Sequence, residues 1–243
     1  MKGIIKGALS YVEGFQIISK YNLWLYFWAP AGVSLVLGFI IFGSAYGLSD
    51  NIGDLLISLY PFEWGKAALE TALSVFGGLL IAVIGLIIFK QLVIALSSPF
   101  MSPMSETIEK RLMGIDKQIP FKMSKFVRDL VRGLTIALRN IIRELFFTLL
   151  LFVLGAVIPI LSPFTTVLIF LIQSYYAGFG NMDFTLERYF GVRDSVKFVR
   201  KNWTLALGNG MVFIGALFTC IGFLFVVPLG AAAATSETLK RLS

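Results

Sequence analysis

The chain has 243 residues, of which 57% are hydrophobic and 14% charged, and a formal net charge of +7; an average soluble domain is roughly 45–50% apolar and about a quarter charged. It holds no histidine and one cysteine, Cys220, which removes the commonest general base, imidazole metal ligation and any disulfide or CxxC site within one chain. Hydrolase and oxidoreductase chemistry, a bound metal and a cofactor are therefore not expected, and on a lipid-facing chain the basic excess reports orientation, not a nucleic-acid partner.

In residues 1–20, Lys6, Glu13 and Lys20 recur every seven positions, while Ile4, Ala8, Tyr11, Phe15 and Ile18 recur at three and four. That spacing predicts an amphipathic helix lying along a membrane interface. Trp24, Tyr26 and Trp28 suit an aromatic belt at the start of a first crossing over residues 23–48. The run is too long and too aromatic for a cleaved secretory signal, so the N-terminus is expected to be retained. Asp50, Asp54, Glu63 and Glu70 against Lys66 place the following loop outside. A second crossing covers residues 71–98, where Pro99 and Pro103 are expected to end or kink the helix.

Residues 106–144 hold nine Lys or Arg against five acids, a cytoplasmic composition. Lys125, Arg128, Arg132, Arg139 and Arg143 are spaced three, four, seven and four, opposite Leu130, Leu134, Leu138, Ile141 and Ile142. This is a basic amphipathic helix, whose arginines either hold it to anionic headgroups or line an anion path. The apolar run over residues 145–182 would be about 57 Å long as one helix, nearly twice the bilayer core, and Pro159 and Pro163 interrupt it near the middle. A run of similar length over residues 202–236 turns around Thr219 to Gly222. As two hairpins, these runs leave the basic segment 184–201 and both termini cytoplasmic; as single crossings they would put that segment outside, against the charge rule. The fold expected is one all-α integral membrane domain, with two long transmembrane helices, two partly inserted helical hairpins and amphipathic interfacial helices.

Lys90 is the one full charge in the middle of a long apolar run, either functional or snorkelling to an interface. Asp183 and Glu106 suit helix starts, and Gln173, Asn181 and Asn209 suit hydrogen bonds between helices. Helix ends inside a membrane bind ions, and positive flanks favour an anion.

Five stretches, GALSYVEGF (Gly7 to Phe15), SPFMSPMSE (Ser98 to Glu106), the arginine-rich Arg139 to Glu144, MDF (Met182 to Phe184) and PLGAAAAT (Pro228 to Thr235), occur in an order and spacing that resembles the CysZ-type sulfate permease family, which includes the eukaryotic etoposide-induced membrane proteins. The resemblance covers nearly the whole chain. It implies two crossings with two partly inserted hairpins, and movement of sulfate into the cytoplasm for sulfur assimilation. Family members carry a G-L-x-Y-L-L-x-G motif at the sulfate site, with an arginine pair shortly after. Here Gly7 and Gly14 keep the glycine spacing, Ser10 stands at the tyrosine position and Tyr11 follows it. Ser19, Lys20, Tyr21 and Asn22 occupy the neighbourhood of the arginines, leaving Lys20 as the cation. Lysine offers a point charge where guanidinium offers planar bidentate contact, and glycines seven apart share a helix face that serves close packing as well as binding.

The function expected is transport of sulfate or a related small oxyanion, with Gly7, Ser10, Tyr11, Gly14, Lys20, Arg139, Arg143 and Lys90 as candidate substrate-binding residues and no catalytic ones. No GxxxxGK[ST] loop is present, so movement is passive or driven by another gradient. The expected partners are the oxyanion, membrane lipids and further copies of the chain, in a bacterial inner (plasma) membrane. The alternative is a non-transporting membrane protein whose basic helices bind anionic lipid or a protein partner.

Overall fold

The computed structural model describes residues 2–41, 43, 78–115, 122–219 and 221–242, which are helical with no strand among them. The expected acidic outer loop, the start of the second crossing and Cys220 lie outside the described residues. Helix α1 (Lys2–Lys20) is followed by a 3-10 turn (Trp24–Phe27) that runs into α2 over residues 28–41. Then come α3 (Gly78–Leu112), α4 (Met123–Val157), α5 (Ser162–Leu186), α6 (Val192–Lys201), α7 (Trp203–Leu217) and α8 (Gly222–Leu242). Among the described residues three stretches are long and apolar enough to cross a membrane, namely Trp24–Ile41, Ala82–Leu112 and Gly222–Leu242.

What the helices leave uncovered identifies their solvent. Helix α4 turns Leu134, Leu138, Ile142, Phe146, Leu150 and Val153 outward, and Leu25, Trp28, Phe39 and Ile160 are each about four-fifths exposed. In water every such side chain would forgo about 1.5–3 kcal/mol of burial, so rows of them call for lipid. Helix α1 leaves Ile5, Leu9, Val12 and Phe15 exposed and buries Gly7, Ser10, Gly14, Ile17 and Ile18. Protein lies under its small-residue face, and the apolar face is left for the bilayer.

Two element boundaries differ from expectation. Helix α3 continues through Pro99 and Pro103 to Leu112, so of the two expected effects, an end or a kink, the prolines do not end it. A proline inside a helix frees the carbonyl four residues earlier. For Pro99 that carbonyl is Ala95, and α4 approaches it at Gly133, where a Cβ would stand 2.9 Å from the oxygen. Ser98 Oγ donates to the Asp129 carbonyl at 2.8 Å and Thr107 Oγ1 to the Pro103 carbonyl at 2.8 Å, which ties the segment down. The basic segment and the first hairpin arm are likewise a single helix, α4, since no proline interrupts residues 124–157. The break comes at the 3-10 turn Pro159–Leu161. Pro163 sits in the first turn of α5, where its missing N–H has no helical partner to lose. The second hairpin turns around Thr219, whose Oγ1 accepts the Gly222 N–H at 3.0 Å.

The hairpins meet where α5 crosses α7. A Cβ on Gly178 would stand 1.8 Å from the Ala206 carbonyl oxygen, and one on Gly210 1.7 Å from that of Ser174. Glycine at both points lets the backbones touch, which is how helices associate where lipid removes the hydrophobic drive. Asn181 Nδ2 donates to Asn209 Oδ1 at 2.8 Å across the same crossing, and Asn209 Nδ2 to the Gly230 carbonyl at 3.3 Å. These are the expected hydrogen bonds between helices. Helix α1 lies over α7 and α8, while α3 and α4 pack along α5.

Candidate functional site

Lys90 does not snorkel. Its side chain is wholly buried, as is that of Glu144 on α4, and the two form an ion pair. Gln91 Nε2 donates to the other Glu144 oxygen at 3.0 Å, and the Lys90 ammonium reaches Gln173 Oε1 of α5 at 3.4 Å. Three helices thus meet at one buried pair, which persists because each charge neutralises the other. Lys90 stands out in the sequence as a charge within an apolar run, and its partner Glu144 does not. The signal was there: α3 and α4 are consecutive and antiparallel, so two hidden charges of opposite sign at matching distances from the turn were candidates for a pair.

One face of α4 carries Arg139 and Arg143, and α6 brings Arg200 into electrostatic reach of Arg139 and, like both α4 arginines, of Tyr175. Arg139 lies 5.5 Å over the Phe179 ring and donates to Asn140 Oδ1 at 2.9 Å. Tyr175 and Tyr176 of α5 stand against these arginines, and Tyr176 also faces Glu144. Among the described residues no carboxylate lies within ion-pair distance of Arg139, Arg143 or Arg200. Arg200 and both tyrosines escaped the sequence reading because they come from separate elements.

Arg132 and Arg188 are engaged by acids. Asp183 lies inside α5 and caps nothing: Arg132 Nε and Nη2 donate to its two oxygens at 3.0 and 2.8 Å. The same guanidinium reaches the Phe190 carbonyl and Ser195 Oγ, each at 2.9 Å, and so clamps α4, α5 and α6 together. Arg188 holds Glu109 at 2.7 Å. Glu106 is also no helix start; it sits within α3, bound to Lys110 at 2.8 Å and to Lys125.

Beside the clamp, just past the end of α5, burial and then the carboxylates of Asp129 and Asp183 push the Glu187 carboxyl up to about 8, against the pull of Ser102 and Arg132. A carboxyl raised in the folded state favours folding when protonated. Its contribution is complete below the ordinary value near 4.5 and is lost as pH climbs through about 8. Glu187→Gln is therefore expected to raise the thermal midpoint near pH 9 by a few degrees and to leave it unchanged near pH 4. Melting in detergent at the two pH values checks this, and an equal effect at both would remove Glu187 as the cause.

The N-terminal candidates lie elsewhere. A Cβ on Gly7 would stand 2.5 Å from the Leu205 carbonyl oxygen and one on Gly14 2.8 Å from the Ala233 nitrogen, so the Cβ side of each glycine is closed by backbone. Ser10 Oγ donates to the Gly7 carbonyl at 2.8 Å and the Tyr11 hydroxyl to the Asn209 carbonyl at 3.1 Å. Lys20 is exposed at the end of α1, its ammonium 5.3 Å from the Tyr21 ring centroid. The structure gathers Arg139, Arg143 and Lys90 around α4 and α5, and sets Gly7, Ser10, Tyr11, Gly14 and Lys20 apart from them, with α1 against α7 and α8.

The family model described as sulfate transporter CysZ/etoposide-induced protein 2.4 matches residues 10–229, a span that includes the three arginines and the Lys90–Glu144 pair. No curated protein matches the chain significantly.

Proposed function

We propose that this chain, which belongs to the sulfate transporter CysZ/etoposide-induced protein 2.4 family, moves sulfate or a closely related oxyanion across the membrane. The observation that carries the reading is the group of Arg139, Arg143 and Arg200, with no carboxylate in ion-pair distance among the described residues. Like charges held close repel, and the fold satisfies Arg132 and Arg188 with acids while giving these three none. An oxyanion relieves that repulsion, and planar guanidinium groups match its geometry in pairs. The basic end of the bundle then concentrates the anion, and Tyr176 lies in electrostatic reach of Arg139 and Arg143 on one hand and of buried Glu144 on the other.

Uptake of radiolabelled sulfate into proteoliposomes tests this. Replacing Arg139, Arg143 and Arg200 together with glutamine is expected to lower the initial rate at least tenfold, about 1.4 kcal/mol or more of lost stabilisation. Wild-type flux no greater than that of empty vesicles would sink the transport reading. If the wild type, but not the triple variant, then binds anionic vesicles, the arginines serve as a lipid anchor.

A further inference from the structure

The charges beside the Arg132 clamp do not balance. Asp129 of α4 and Asp183 of α5 act on the Glu187 carboxyl, which also has Ser102 of α3 and Arg132 near it. Arg132 gives Nε and Nη2 to Asp183 and its remaining nitrogen to the Phe190 carbonyl. Lys110 and Lys125 are bound to Glu106, although Lys125 and Glu106 also act on Asp129 at longer range. Arg128, its side chain 73% exposed, reaches Asp129 Oδ1 at 3.5 Å. Asp129 Oδ2, Glu187 Oε1 and Ser102 Oγ are buried without a hydrogen-bond partner. Buried polar atoms are nearly always paired, and a buried carboxylate without a countercharge is strongly unfavourable. Idle oxygens in one acidic place therefore call for a cation.

The backbone adds an oxygen at the same place. Pro99 has no N–H for the Ala95 carbonyl, and that oxygen faces Gly133, where a Cβ would stand 2.9 Å from it. Gly133, Ser98, Asp183 and Glu187 line one cavity of about 10 Å³ between α3, α4 and the end of α5, room for a single water or a bare ion. Carbonyls released from helical bonding are ligands for sodium inside membrane proteins. Among the described residues no three acids lie close enough together to hold a polyvalent ion. Asp129 keeps Arg128 at one oxygen, so the charge that is missing is a single one.

We propose that this cavity is a site for one sodium ion, held by the Glu187 and Asp129 carboxylates with Ser102 Oγ and the Ala95 carbonyl. The inference stands apart from the transport reading and is tested without it. The four ligands come from α3, α4 and the segment after α5, so the ion ties together helices that the Arg132 clamp joins on its other side. Anything that binds the folded chain and not the unfolded one stabilises it. The small cavity favours sodium over the larger potassium ion, and choline is too large to enter.

Full-length protein in detergent near pH 9 is melted in sodium, potassium or choline chloride at one ionic strength of about 0.1 M, so that exposed charges are screened equally. Sodium is expected to raise the wild-type midpoint by a few degrees over choline, and potassium by less. Glu187→Gln and Asp129→Asn are each expected to melt at the same temperature in sodium and in choline. The gain that Glu187→Gln brings at high pH is then largest in choline. Each variant is compared with itself, so one of lowered stability still reports, and the wild-type series decides alone if a variant does not fold. Equal wild-type midpoints in sodium and choline, or a sodium shift kept in either variant, overturn the site whether or not vesicles take up sulfate. Absent sulfate flux with the sodium shift intact sinks transport and leaves the site standing.

Discussion

Asp183→Ala is expected to lower the thermal midpoint of the detergent-solubilised protein by on the order of 10 °C, because removing one partner of a buried pair costs about 3–5 kcal/mol and each kcal/mol moves a chain of this size by roughly 2–4 °C. The Arg132 side chain is 14% exposed and that of Asp183 8%, so water does little to replace the lost contact. The guanidinium keeps the Phe190 carbonyl and Ser195 but is left with an uncompensated charge between α4 and α5. Asp183→Asn retains one acceptor and is expected to lose less. Arg132→Leu added to Asp183→Ala should recover part of the loss by removing the stranded charge, although it also breaks the α6 contact through Ser195. Since α6 carries Arg200, sulfate uptake should fall in both Asp183 variants, and in Asp183→Ala more than in Asp183→Asn. A midpoint shift under about 2 °C in Asp183→Ala, well short of the usual cost for a buried pair, would show that the clamp does not hold the three helices together.

The membrane character and the hairpins were legible because they depend on local quantities. An apolar run of given length either fits a bilayer or does not, and Pro159 interrupts α4 wherever the rest of the molecule lies. The turn at Thr219 is equally local. Tertiary contacts decided the boundaries that were missed. Pro99 and Pro103 stay inside α3 because Gly133 lets α4 come close to the freed Ala95 carbonyl and Ser98 bonds to Asp129, and neither partner can be known from α3 alone. The same distinction runs through the site. Lys90, Arg139 and Arg143 stood out as charges in apolar or amphipathic contexts, whereas Glu144 read as the end of an arginine-rich stretch. Arg200 read as one more residue of a basic segment, and Asp183 as a cap. Their roles come from helix pairs 50 or more residues apart, such as Lys90 with Glu144 (|i−j| of 54) and Arg132 with Asp183 (|i−j| of 51).

The N-terminal glycines separate packing from binding most directly. Gly14→Ala places a methyl group 2.8 Å from the backbone nitrogen of Ala233 and 3.1 Å from its Cα, and Gly7→Ala places one 2.5 Å from the Leu205 carbonyl oxygen. Backbone cannot turn aside as a flexible side chain can, so α1 has to lift from α7 and α8. Overpacking of this kind costs about 1–3 kcal/mol, and the midpoints in detergent are expected to drop by several degrees, more for Gly7→Ala than for Gly14→Ala. Lys20→Ala is expected to change neither midpoint nor sulfate uptake. The lysine is exposed, its attraction for an anion is screened over about 8 Å at physiological ionic strength, and its ammonium stands over the Tyr21 ring, which the Arg111 guanidinium also approaches, at 6.0 Å from the centroid. Initial uptake rates per inserted chain and midpoints, measured together, decide the matter. Suppose Gly14→Ala kept its midpoint and lost uptake, and Lys20→Ala lost uptake severalfold. The anion would then bind at the start of the chain, α1 would have to open from α7 to admit it, and Arg139, Arg143 and Arg200 would revert to holding α4 and α6 against anionic headgroups.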